Sequence, residues 1–284
     1  MSFFEDLFSF VSEKENSGQK LYIDLAAVEN LTIDALMYLI ALMKNRRNDY
    51  NANKSFKGNY PVLSNINELI HCSGFDRYVL YNGIQTGNAR IECIPITTGE
   101  KVDTAFAKNV CDFIIEKGNT TKKACKFLYN MMIELMANVY AHAYGEADSI
   151  LCSRWYCFAE YDASNNMIDF TFMDTGDGIP STVQKHGLEQ FDFLKMKGDG
   201  SYVISALKGE LRSKTGIPYR GKGLPKVFSY CESNQIKNMR IISNKADITI
   251  EGSTITPIEL QIPLMGTLFW WRIDLLSLQL VATT

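Results

Sequence analysis

Glu134, Asn138 and His142 follow one another at intervals of four in a stretch whose apolar residues, Leu128, Met131, Met132, Leu135 and Val139, keep helical spacing. At ~100° per residue the apolar set fills a sector of roughly 100°. The three polar side chains climb its margin by ~40° and ~6 Å per step. A carboxylate and a carboxamide at the edge of a buried face are costly unless something pairs with them. A divalent cation carrying phosphates would do so, with Asn138 as a ligand, because amide oxygen and water suit Mg²⁺. Glu134 would then orient or deprotonate an attacking water or hydroxyl. The competing reading is a polar helix edge that simply meets solvent.

Asp174-Thr175-Gly176-Asp177-Gly178-Ile179-Pro180 follows the strand-like run Ile168–Met173. A carboxylate at a strand end can accept a hydrogen bond from an amine such as that of adenine, and Gly176 and Gly178 let the backbone approach a planar ligand. A plain tight loop would look similar. A calcium loop lacks its remaining acids and its closing Glu. Gly221-Lys222-Gly223-Leu224 stands before an expected helix, where backbone N–H groups can hold phosphate with Lys222 as a further cation. Pro225 suits the first turn; a hinge ending a long loop is the alternative. Neither G-x-x-x-x-G-K-[ST] nor a strand–GxGxxG–helix unit is present, which excludes P-loop and Rossmann readings.

Two α/β blocks position these residues. In the first, a strand-like run at Lys20–Leu25 precedes a helix capped by Thr32, with Leu36, Leu39, Ile40 and Met43 at helical spacing. A second helix is expected over Ser64–His71, closed by Gly74, and the best boundary is at Thr97–Lys101. The second block opens with a helix over Val102–Lys117, ended by Gly118-Asn119. A longer helix is capped by Thr120 or Thr121 and runs to Tyr144. Strands at Arg154–Tyr161 and Met167–Met173 flank a hairpin turn. The stretch Ser181–Arg220 reads as a loop, and two last strands, Met239–Ile250 and Ile258–Ile273, as a meander. Met1–Phe8 has the pattern of an amphipathic helix.

The 284 residues suffice for about two domains. A net charge of −3 gives no global drive toward nucleic acid or anionic membrane. Acidic residues near the start and interrupted apolar runs argue against a signal peptide or a membrane span. Seven cysteines without a C-x-x-C pair fit a reducing, cytoplasmic setting.

In order and spacing, Glu134-x-x-x-Asn138-x-x-x-His142-Ala143, Asp174-x-Gly176-x-Gly178-Ile179, Gly221-x-Gly223-Leu224 and Gly266-Thr267-x-Phe269 resemble the motifs of the GHKL ATPase family. Gyrase and histidine-kinase catalytic domains belong to it; the Ala143-Tyr144 ending is most similar to its anti-sigma-factor serine kinases. The resemblance covers residues 102–274. It implies an α/β sandwich with a mixed sheet (the Bergerat fold) over 99–284, binding ATP and Mg²⁺. Glu134 would be catalytic, Asn138 would hold the metal, and Asp174 would read adenine with Gly176, Gly178 and Ile179 around it. Gly221, Lys222, Gly223 and Leu224 would meet phosphate, and Thr267 would support adenine through a water.

Residues 1–98, through Ile23-Asp24-Leu25-Ala26-Ala27-Val28 and Ile66 to Phe75, are similar to STAS domains, with Ile33 or Asp34 where those carry a phosphorylated Ser. The expected protein is a cytoplasmic Mg·ATP-binding regulator with a protein partner. Its chemistry would be slow hydrolysis or serine/threonine phosphorylation, and a homodimer fits the resemblance. A non-catalytic ATP-binding module and a histidine-kinase-like output domain are the alternatives.

Overall fold

Two tight turns set the topology of the larger sheet. Asp162 accepts hydrogen bonds from the backbone of Ser164 and Asn165 (3.0 and 3.2 Å) and from the Asn165 amide (2.6 Å), while Asn166 takes a φ of 53°. This turn joins strands Trp155–Asp162 and Met167–Asp174. Gly252, at φ 59°, turns Lys237–Glu251 into Thr254–Asp274. In a computed structural model, which describes residues 22–44, 56–81, 92–142, 154–185, 198–210 and 223–282, these four strands follow Glu92–Gly99 as β5, β6, β7 and β8 after β4. Their order is β4-β5-β6-β8-β7, and every pairing is antiparallel. The expected mixed sheet is therefore corrected, because strands joined by tight hairpins must run in opposite directions.

The first block obeys the opposite rule. Strands β1 (Tyr22–Ile23), β2 (Phe56–Gly58) and β3 (Val79–Tyr81) pair in parallel, which requires a long crossover between neighbours. Helices α1 (Ile33–Lys44) and α2 (Ser64–Ser73) lie in those connections. Gly74 ends α2 at φ 72°, its N–H turned back to the carbonyls of His71 and Ile70. The amphipathic helix expected at Met1–Phe8 lies outside the described residues. Residues Thr97–Gly99, the expected boundary, are the end of β4, and that strand belongs to the larger sheet.

Side chains alternate along β5 and β6, and both faces are covered. Trp155, Cys157, Phe170 and Phe172 share one core with α3 (Thr104–Gly118), α4 (Lys126–His142), α6 (Asp199–Leu207) and α7 (Gly223–Glu232). Tyr156, Phe158, Met173 and Leu268 share a second core with Leu36, Met37 and Ile40 of α1 and with Ile70 of α2. A sheet buried on both faces explains the near-continuous apolar run of β5.

Three local expectations shift. The regular helix α4 begins at Lys126, and of the two threonines it is Thr121 that makes a cap-type bond, its hydroxyl accepting the Ala124 N–H (3.4 Å). Thr120 instead donates its hydroxyl to the Leu278 carbonyl (3.3 Å) of α8 (Leu275–Ala282). Within the expected loop, α5 (Ile179–Lys185) and α6 are helices. Helix α6 exists because Tyr202, Val203 and Leu207 are buried and Gly200 sits against Pro257 and Ile248 of the β7–β8 hairpin. Among the described residues, no helix is long and apolar enough to cross a membrane.

Phe158 stands only 2% exposed in the second core. Phe158→Ala is expected to cost about 3–5 kcal/mol, lowering the urea midpoint of one transition shared by probes in both blocks. Two separate transitions, with the first block's unmoved, would refute a common core.

Candidate functional site

The helix margin read from the sequence forms at the C-terminal half of α4. Glu134 and Asn138 are both half-buried there, and α7 starts against them. A Cβ added at Gly223 would sit 3.0 Å from Glu134 Oε2 and 3.7 Å from Asn138 Nδ2. The first turn of α7 thus lies directly against both side chains, and a Cβ at Gly223 would press on the Glu134 carboxylate. Lys226, one turn later, places Nζ 3.7 Å from Glu134 Oε1. Leu224 is half-buried against the main core, and Gly221 and Lys222 lie outside the described residues.

The second group is built on β6 and β8. Asp174 pairs in register with Thr267. Its carboxylate accepts from the Gly176 N–H (2.8 Å) and from both the backbone and the hydroxyl of Thr267. Gly266, at φ 79°, makes this possible, since a Cβ there would overlap the carbonyl oxygen of Asp174. The Thr267 hydroxyl lies 3.1 Å from that of Ser243, which accepts the Ile179 N–H at 2.8 Å. A chain of donors thus runs from Ile179 through Ser243 and Thr267 to the Asp174 carboxylate, each polarising the next.

Asn244 fixes the glycine turn itself. Its amide donates to the Asp177 carbonyl (3.0 Å) and accepts from the Ser181 hydroxyl (3.0 Å), and a Cβ at Gly178 would strike that amide at 2.6 Å. The strand bends to allow this: Asn244 has φ 51°, and the β7–β8 register shifts on both sides of it. Ser243 and Asn244 escaped the sequence reading, although two adjacent polar residues interrupting an apolar strand were a visible signal.

A run of contacts leads from α4 to the strands that carry the second group. Met136, between Glu134 and Asn138, takes the Asp103 N–H on its sulfur (3.5 Å). Two residues earlier, the Lys101 carbonyl takes the Trp155 indole N–H (2.8 Å), and Trp155 is opposite Asp174 across β5 and β6. These contacts link α4, through the Lys101–Asp103 segment, to the strand pair that carries Asp174. From the other face, the Tyr38 hydroxyl of α1 donates to the Met265 carbonyl (3.0 Å), two residues before Thr267. Burial, then the charges of Asp174 and Asp34, push its phenol well above the usual range.

Burial pushes the Asp174 carboxyl up to about 6, against its three hydrogen bonds and with Asp177 adding to the rise. A carboxylate can accept about four hydrogen bonds, so one direction remains for a donor from a ligand. A desolvated acid with its proton affinity raised in this way makes Asp174 a candidate ligand contact on electrostatic grounds. No group of three or more His, Cys, Asp or Glu able to hold a metal is found among the described residues, so a divalent cation would depend on Asn138, water and a ligand's own oxygens. In comparisons with known proteins, no family model and no curated protein matches the chain.

Because the folded state holds the Asp174 proton more tightly than the unfolded chain, its contribution to stability is complete below pH ~4 and is lost as pH rises to about 6. Relative to Asp174→Asn, the wild type should lose about 3 kcal/mol across that window. Urea midpoints from pH 4 to 7 test this, and parallel profiles for the two proteins would overturn it.

Proposed function

We propose that residues 102–274 form a Mg·ATP-binding regulatory module of the GHKL type, preceded by a STAS-like first block, and that nucleotide state governs contact with a protein partner. The observation that carries this reading is the desolvated Asp174 carboxylate, held by Thr267 and Gly176 with one acceptor direction left. An adenine amino group is a donor of the right kind. Gly178 and Ile179 shape the turn beside it through Asn244 and Ser243.

The triphosphate end belongs to the α4–α7 junction. Gly223, with Gly221 and Lys222 just before it, would offer backbone N–H groups at a helix start. The contact of Gly223 with Glu134 and Asn138 supports such a cradle. Asn138 would supply an oxygen to Mg²⁺, and the bound metal would offset the charge on the terminal phosphoryl group. Glu134 would hold the proton taken from the attacking water or protein hydroxyl. Cytoplasmic residence and a homodimer belong to the same reading, and nucleic acid does not.

One observation favours a second reading, in which ATP is bound and never cleaved. The Lys226 ammonium faces Glu134 Oε1, engaging the carboxylate that hydrolysis needs free. Both side chains are more than a third exposed or close to it, at 41% and 35%, and pairs of that kind are weak. The catalytic reading is therefore kept first.

Asp174→Asn is expected to weaken ATP binding by roughly 10- to 100-fold, the worth of a hydrogen bond to a charged group. Calorimetry with ATP, ADP and Mg²⁺ measures this, and unchanged affinity would remove the adenine assignment. Glu134→Ala is expected to abolish turnover while ATP affinity persists. Turnover equal to the parent's would exclude a catalytic Glu134, and a parent that binds ATP without turning it over would leave the binding-module reading in its place.

A further inference from the structure

Six of the cysteines are described, and two of them meet where the blocks join. Cys72 lies in the last turn of α2 and Cys93 at the start of β4. The Cys93 thiol donates to the Cys72 carbonyl at 2.9 Å, and the Cys72 thiol beside it donates to the Leu69 carbonyl at 3.5 Å. The backbones are close on the same seam, where a Cβ at Gly74 would stand 3.3 Å from the Pro95 Cβ. We propose that Cys72 and Cys93 form a redox couple which closes to a disulfide and ties the first block covalently to the five-stranded sheet.

The environment separates the two sulfurs by role. The Cys72 thiol stabilises a Cys93 thiolate, and Arg77 adds to this, so that Cys93 is lowered despite burial and the Glu160 charge. Donating to Cys93, then burial, raises Cys72. Cys93 is half-buried while Cys72 is 4% exposed. Burial pushes Cys111, Cys125 and Cys231 up to about 11, 12 and 12, and raises Cys157 as well. Cys93 is thus the nucleophile, since thiolate fraction and access govern attack.

With a hydroperoxide as oxidant, the Cys93 thiolate attacks the terminal oxygen. The S–O bond forms, the O–O bond breaks, and the leaving alkoxide, or hydroxide where the oxidant is hydrogen peroxide, takes a proton to become an alcohol or water. The peroxide is reduced and Cys93 becomes a sulfenic acid. Cys72 sulfur then attacks the Cys93 sulfur: the S–S bond forms, the S–O bond breaks, and oxygen departs as water with the Cys72 proton. Two thiols have lost two electrons. A thiol reductant reverses the step, as befits a transient intracellular disulfide.

The full chain is treated with hydrogen peroxide, quenched with an alkylating agent, and digested without reductant for mass spectrometry. The expected product is a Cys72–Cys93 cross-linked peptide that dithiothreitol separates. Both cysteines recovered alkylated, or Cys93 joined to another cysteine, would overturn the proposal; this reading needs no variant to fold. In Cys72→Ala, Cys93 should accumulate as a sulfenic acid trapped by dimedone. In Cys93→Ala, Cys72 should stay reduced at the same dose, and oxidation of Cys72 there would assign the attack wrongly.

Discussion

The pairing of Asp174 with Thr267 is the contact on which the rest of the site depends. It ends β6 against the middle of β8, and it is possible only because Gly266 carries no side chain. Around it the polar groups fall into a fixed order, from the Ile179 N–H through Ser243 and Thr267 to a carboxylate withdrawn from water. Such a group is expensive to bury and is stabilised here by three donors rather than by a cation. The glycine turn that follows is then tied down by Asn244. Few degrees of freedom remain between the sheet end and α5.

The two cores explain why the halves of the chain share a fate. Helices α3, α4, α6 and α7 pack on one face of the larger sheet, and the parallel first block packs on the other. Tyr38 shows how directly the first block reaches the site, since its hydroxyl holds the β8 backbone at Met265 and lies in the field of Asp174. Any ligand that draws on Asp174 acts on an element whose opposite side is α1. The same strand is thus contacted from both faces of the sheet.

How much of this was legible in the sequence follows the range of the interactions. The Asp162–Asn166 turn was readable because its hydrogen bonds are local, and α3 was readable through its Gly118-Asn119 end, where Asn119 takes a φ of 43°, whereas its Asp103 cap falls inside the helix read from the sequence. The stripe on α4 and the Asp174 glycine turn were likewise visible as spacing. Helix α6 was not, because it is only nine residues long, opens on Asp199-Gly200-Ser201 like a turn, and is held by the distant β7–β8 hairpin. Thr120 looked like a cap and is instead spent on Leu278, 158 positions away. The mixed sheet came from resemblance, and the hairpins of this chain exclude it. Ser243 and Asn244 stood out as a polar break in an apolar strand, but their partners Ile179, Asp177 and Ser181 lie more than 60 positions away and could not be read along the chain.

The β6–β8 register has a consequence for biosynthesis. Asp174 and Thr267 are 267 − 174 = 93 positions apart, so closing that pair needs a long loop to be drawn in. A nascent chain leaving the ribosome completes β5 and β6 well before β8 is made. During that interval the Asp174 carboxylate stays hydrated and keeps an ordinary acidity. Its unusual proton affinity is acquired only when the closing strand arrives, so a prematurely terminated product lacking β8 would carry the glycine turn without the electrostatics that give it meaning.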